Sequence, residues 1–135
     1  MANLDCLVTK ENANDGVWFR VFLYGKEQPF SVKLLGSDSD VVINYAKEKL
    51  RKLKNKKTDE DESLDVLFDT KDEDVLIRIC ELRTEDGEPI VIGDREIKNT
   101  KEDYRFLIEK IPAIKEFVLE KSNERKNFLL QKKKD

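Results

Sequence analysis

Residues 16–36 read GVWFRVFLYGKEQPFSVKLLG, and how this stretch folds decides the architecture of the whole chain. Val17 to Tyr24 is rich in aromatic and β-branched residues, the types that fit a pleated, half-buried surface. In a strand, Val17, Phe19, Val21 and Leu23 share one face. Trp18, Arg20, Phe22 and Tyr24 share the other. Gly25 to Gln28 supplies a turn, and Phe30, Val32 and Leu34 alternate with Ser31 and Lys33 on a returning strand. The stretch is therefore a β-hairpin, spanning 15–36. An isolated hairpin is marginal in water, so helices must dock on it. Its first strand is apolar on both faces. One face packs on the domain's own helices; the Trp18/Phe22/Tyr24 face needs a further cover, from a helix of this chain or from another subunit.

Outward from the hairpin the period changes. SDSDVVINYAKEKLRKL reads as a helix over 37–54, with Ser37 and Asp40 as its N-terminal box. Val42, Tyr45, Ala46, Lys49, Leu50 and Leu53 fall on one face. KNKKTDEDES holds no apolar residue, and 55–62 reads as a mobile acidic loop. SLDVLFDTKDEDVLIRICEL is less clean. One bent helix or two short ones both fit, and Val75 to Ile79 also fits a strand. Helix is favoured, because Leu76, Ile79, Cys80 and Arg83 follow the helical period. Asp86-Gly87 and Gly93-Asp94 are turn formers with a short extended piece, EPIVI, between them. Thr100 with Asp103 opens another helix, with a stripe of Tyr104, Leu107, Ile108 and Ile111. Pro112 opens a further helix or kinks this one. Ile114, Phe117, Val118, Lys121, Arg125, Phe128 and Leu129 give the last helix its face. The expected class is α+β, a single domain over 1–135: a flexible 1–14, the hairpin, three to five amphipathic helices with 63–130 as the helical part, and a basic tail at 131–135.

Composition bounds the function. Charged residues make up 41% of the 135, yet the net charge is only −3, so nothing draws the whole molecule to nucleic acid or anionic membrane. The charge is uneven: residues 55–99 hold 15 acidic and 7 basic side chains, and the flanks are mildly basic. There is no histidine, and the sequence carries no nucleophile elbow, phosphate loop or dinucleotide fingerprint. An enzyme is not expected, nor a cofactor. Asp59 to Glu62 lacks the spaced oxygens and turning glycine of a calcium loop, so no metal is expected either. Asp72, Glu73 and Asp74 form a second carboxylate cluster. Lys52, Lys54, Lys56 and Lys57 lack interleaved aromatics and suit a helix C-terminus electrostatically. Cys6 and Cys80 read as free, buried thiols of a reducing cytoplasm. The N-terminus lacks the basic-then-apolar layout of a signal peptide, and no apolar run is long enough to span a membrane. What remains is protein–protein contact, through the second face of the first strand and the Phe128/Leu129 ending, which is also expected to dock on the domain beside Phe117 and Val118.

In order along the chain stand Asp15-Gly16-Val17-Trp18, Phe30-Ser31-Val32-Lys33-Leu34-Leu35, Tyr45, an acidic middle, Asp86-Gly87-Glu88-Pro89-Ile90 and Asn127-Phe128-Leu129. This order resembles the tail assembly chaperones of long-tailed bacteriophages and prophages, over roughly residues 12–130. One departure is Ile79-Cys80-Glu81-Leu82, where such proteins often place a Trp. The resemblance implies a non-enzymatic protein of the host cytoplasm. It would coat the tape measure protein, keep it soluble and hand it to major tail protein subunits, with self-association open to it as well. Trp18, Phe22, Tyr24, Phe128 and Leu129 are the expected partner-binding residues. The resemblance also gives Lys132-Lys133-Lys134 a second reading, as the trace of a ribosomal frameshift site, beside that of a solubilising tail. The rival readings are a structural component retained in the virion and a small regulator.

Overall fold

The hairpin forms, and the helices dock on one of its faces. The computed structural model describes residues 2–55 and 72–130; the expected loop from 56 onward, the stretch 63–71 and the basic tail at 131–135 lie outside them. In chain order come a 3-10 turn at Asp5–Leu7, α1 (Lys10–Asp15), β1 (Val17–Leu23), β2 (Lys26–Leu34), α2 (Asp40–Asn55) and a helix described over 72–76 (α3). Then follow β3 (Ile79–Arg83), β4 (Ile90–Ile92), β5 (Arg95–Ile97), α4 (Lys101–Lys110), α5 (Ala113–Asn123) and a 3-10 turn at Arg125–Phe128. The expected α+β class holds. Among the described residues no helix is long and apolar enough to cross a membrane.

β1, β2 and β3 form an antiparallel sheet in that order, and β4–β5 is a separate two-stranded ribbon. The β1–β2 turn is tighter than expected: Leu23 pairs with Lys26, leaving Tyr24 and Gly25 as the two turn residues, both at positive φ (55° and 74°). The ladder breaks once. Arg20 pairs with Ser31 and Phe22 with Glu27, so Val21 alone faces Gln28, Pro29 and Phe30. Pro29 has no N–H to give. Where pairing lapses, the Arg20 Nε donates to the Gln28 carbonyl at 2.7 Å.

The helix expected over Ile79–Arg83 is instead strand β3. Leu34 pairs with Ile79 and Lys33 with Glu81, which leaves Cys80 as the extra residue of a bulge. Cys80 is consequently exposed, as is Cys6, against the expectation that both are buried. The outer edge of β3 is closed by one side chain: the Asn99 Oδ1 accepts from Leu82 N at 2.7 Å and its Nδ2 donates to Leu82 O at 3.3 Å. The same Oδ1 accepts a hydrogen bond from the Tyr104 hydroxyl at 2.9 Å. Asn99 thus acts as a single-residue strand on that edge.

α5 packs against β1 and β2, and α4 against α5 and β5. The core collects Val21, Leu23, Val32 and Leu34 from the sheet with Leu107, Ile108, Phe117 and Val118 from the helices. Thr100 caps α4, accepting from Asp103 N at 3.2 Å, as the sequence predicts. The cap of α2 is Ser39 rather than Ser37: its hydroxyl accepts from Val42 N at 3.3 Å. The last helix also ends earlier than expected. Glu124 is extended (φ −91°, ψ 102°), and Phe128 arrives on a 3-10 turn instead of the helix face.

Two devices fasten distant segments of the chain to one another. Residues 10–14, expected to be flexible, form most of α1, with Ala13 buried at the close approach to Gly36. A Cβ on Gly36 would stand 2.8 Å from the Ala13 Cβ and 3.2 Å from the Phe128 ring, so only glycine fits there. The second device is a buried polar junction. The Ser122 hydroxyl donates to the Leu35 carbonyl at 2.7 Å and accepts from the Arg78 Nη1 at 2.8 Å. The Arg78 Nη2 also pairs with Asp74 at 3.1 Å. It ties β2, the α3–β3 turn and α5 together, and among the described residues no buried side-chain nitrogen or oxygen lacks a partner.

Candidate partner-binding surface

The outer face of the sheet is where the sequence places an uncovered apolar strip, and the structure covers part of it with cations. Trp18 is half-buried, with the Arg83 guanidinium 4.0 Å from its ring centroid. A stacked guanidinium attracts the ring face and shields it from water. Next along β1, Arg20 sits between two carboxylates, Glu27 at 3.3 Å and Glu85 at 2.6 Å. Lys33 and Glu81 lie opposite Trp18 in the ladder. The face is thus charge-balanced: Arg20, Lys33 and Arg83 against Glu27, Glu81 and Glu85. Aromatics beside arginines resemble a nucleic-acid platform, but the balancing carboxylates remove the positive field such a platform needs.

Beyond Arg20 the cover stops. Phe22 is 54% exposed and Tyr24, at the hairpin tip, 80%. Tyr24 is also the single non-glycine residue with positive φ among the described residues. Two-residue hairpin turns of this hand favour Asn or Gly, because a side chain at positive φ strains the backbone. An aromatic that is both strained and in water contributes nothing to the fold at that position.

The other expected contact residues are placed differently. Phe128 is 2% exposed and meets Phe19 edge-to-face at 6.0 Å between centroids; it belongs to the packed interior and cannot anchor a partner. Leu129 is half-buried, its carbonyl accepting from the Asn12 Nδ2 at 3.0 Å, and Leu130 N donates to Val8 O at 3.0 Å. The C-terminal segment clasps the N-terminal one. On α2, Val42 is buried, Tyr45, Lys49 and Leu53 are half-buried, and Leu50 is 61% exposed.

The carboxylates singled out in the sequence serve the fold. Asp72 pairs with Lys115 at 2.9 Å, Glu73 with Lys101 and with Arg105, and Asp74 with Arg78. The hydrogen bond from Lys101, the largest influence, holds the Glu73 carboxyl below the usual range. Burial pushes the Tyr104 hydroxyl up to about 12, with Cys80 and Glu81 adding to it. Among the described residues no group of three or more His, Cys, Asp or Glu is arranged to hold a metal.

Comparison with protein-family models, with curated proteins and with solved structures returns no match for this chain.

Proposed function

We propose that this chain is a non-enzymatic assembly factor of the tail chaperone kind. It binds a helical segment of a phage tape measure protein in the host cytoplasm, keeps it soluble and passes it to major tail protein subunits. The order of short motifs along the sequence suggests the class. The observation that carries the reading is the hairpin tip, where Tyr24 is 80% exposed at a φ of 55°. Strained residues concentrate where function over-rides local preference, and exposed aromatics are where interface energy tends to concentrate. Phe22 supplies a second anchor on the same edge, and the balanced charges around Arg20 tune rate and salt response rather than affinity. Each such contact is modest, and many copies along a long helix supply avidity.

Co-expression tests the reading. A tape measure fragment that precipitates alone is expected to stay soluble with the wild-type protein, and to lose that protection with the doubly substituted Phe22→Ser, Tyr24→Ser protein, whose fold is checked by circular dichroism. Mass spectrometry of purified particles should find the protein depleted. Equal precipitation with and without it, together with a fixed copy number in particles, would replace this reading with that of a retained virion component.

A further inference from the structure

Away from the hairpin tip, β2, the β3–β4 turn, the β4–β5 ribbon and α4 enclose an apolar groove of about 340 Å³. Its walls are Phe30, Ile90, Ile92 and Ile111, all half-buried, and its floor is Leu107, 1% exposed. Val91, on the ribbon, is 52% exposed. Two carboxylates, Asp86 and Glu88, stand on the rim, and no lysine or arginine lines it. Among the described residues neither carboxylate takes part in an ion pair; neighbouring Glu85 is engaged by Arg20. The rim is built in advance. The Thr84 hydroxyl donates to the Glu88 carbonyl at 2.7 Å, and Gly87 N to Thr84 O at 3.4 Å. Pro29 and Pro89 stiffen the two lips.

We infer that this groove is a peptide-docking site for a partner segment that inserts a bulky aliphatic or aromatic side chain and carries lysine or arginine beside it. Three features select that occupant. The apolar walls reward burial of an apolar anchor. The volume holds side chains; the body of a helix, about 10–12 Å across, does not enter it. The carboxylates at the mouth, which form no ion pair among the described residues, complement cations and repel an acidic flank. A rim fixed before binding lowers the ordering cost of the complex. This surface is separate from Phe22 and Tyr24, so the inference does not rest on the proposed function.

Fluorescence anisotropy with a labelled hexapeptide tests the inference. The probe is Leu-Phe flanked on each side by two lysines. Matched controls replace the lysines with glutamates or Leu-Phe with Ser-Ser. The lysine-flanked Leu-Phe peptide is expected to saturate, at least about tenfold tighter than either control, and to weaken as salt rises, because exposed ion pairs are screened. The doubly substituted Asp86→Lys, Glu88→Lys protein alters only exposed turn positions and should reverse the preference toward the glutamate-flanked peptide. Amide and methyl shifts should move at Phe30, Ile92 and Ile111. Absence of saturable binding, equal binding of all three peptides, an unchanged preference in the charge-reversed protein, or shifts confined to Phe22 and Tyr24 would each overturn the inference. Tape measure protection reads the other surface, so the doubly reversed protein should reverse the peptide preference without losing what the hairpin tip does.

Discussion

If the proposed function holds, Tyr24 trades stability against binding in one residue. At a φ of 55° an aromatic side chain crowds its own backbone, a strain of order 1–3 kcal/mol. Its ring, 80% exposed, regains almost none of this by burial. Tyr24→Asn converts the turn to Asn-Gly, the pair this geometry favours. The substitution should therefore raise stability by about 1 kcal/mol in urea titration while weakening tape measure protection. Unchanged or lower stability would show that the ring is held by contacts that offset the strain. The alternation in VWFRVFLYG puts Trp18 and Phe22 on one face of β1, as the structure has them, but Tyr24 lies past the strand, in the turn. What it could not reveal is that Arg83 stacks on Trp18. That arginine arrives from β3, a segment read as helix. The strain at Tyr24 was equally hidden, because the turn's position depends on which residues pair.

At the scale of elements, β3 shows how a local irregularity misleads a periodic reading. Its two buried residues, Ile79 and Leu82, are three apart instead of two, because Cys80 is bulged. A bulge shifts strand alternation by one, and spacing of three is what a helix shows. The groove was invisible for a related reason: its walls come from β2, β4 and α4 and from the turn after β3, and no single stretch carries the pattern. Thr100 with Asp103 was legible because a cap is decided within four residues. The C-terminal clasp is an element-scale prediction of its own. Phe128 fills the space between Phe19 and the Gly36–Ala13 contact. Phe128→Ala should cost about 3–5 kcal/mol, the usual range for a buried aromatic. The loosening should begin at the clasp: hydrogen exchange at Gly36 and Leu130, whose N–H groups bond Ala13 O and Val8 O, is expected to accelerate before that of β2. Uniform acceleration across the sheet would instead make the clasp one unit with the core.

At the scale of the whole molecule, ionisable groups that hold the fold make its stability depend on pH from both sides. α3 is joined to α4 and α5 by carboxylates paired with lysine and arginine: Asp72 with Lys115, Glu73 with Lys101 and Arg105. The Glu73 carboxyl is held below its ordinary value of 4.5, first by the hydrogen bond from Lys101. Asp103 is likewise held below 3.8, first by its hydrogen bond with Arg95. A carboxyl depressed in the folded state binds fewer protons there than in the unfolded chain. Its stabilisation is complete above the unfolded value and is lost as pH falls through the folded one. Stability should therefore decline below about pH 4.5, and Glu73→Gln should flatten that decline. On the alkaline side Tyr104 is shifted furthest, and burial also raises Tyr45 and Cys80. The Tyr104 hydroxyl donates to Asn99 inside the β3 edge closure, and its pKa is raised from 10 to about 12, first by burial. Between those values the unfolded chain loses the proton and the folded chain keeps it, so stability falls as pH rises from 10 toward 12. Tyr104→Phe removes its share of that slope and also leaves Asn99 without one partner, lowering stability at neutral pH by about 0.5–1.5 kcal/mol. Urea titrations from pH 3 to 11.5 should thus give a dome whose acid limb responds to Glu73→Gln and whose alkaline limb responds to Tyr104→Phe, each leaving the other limb intact. A Tyr104→Phe protein that keeps the full alkaline slope would show that the β3 edge closure does not set it, and that another tyrosine or lysine does.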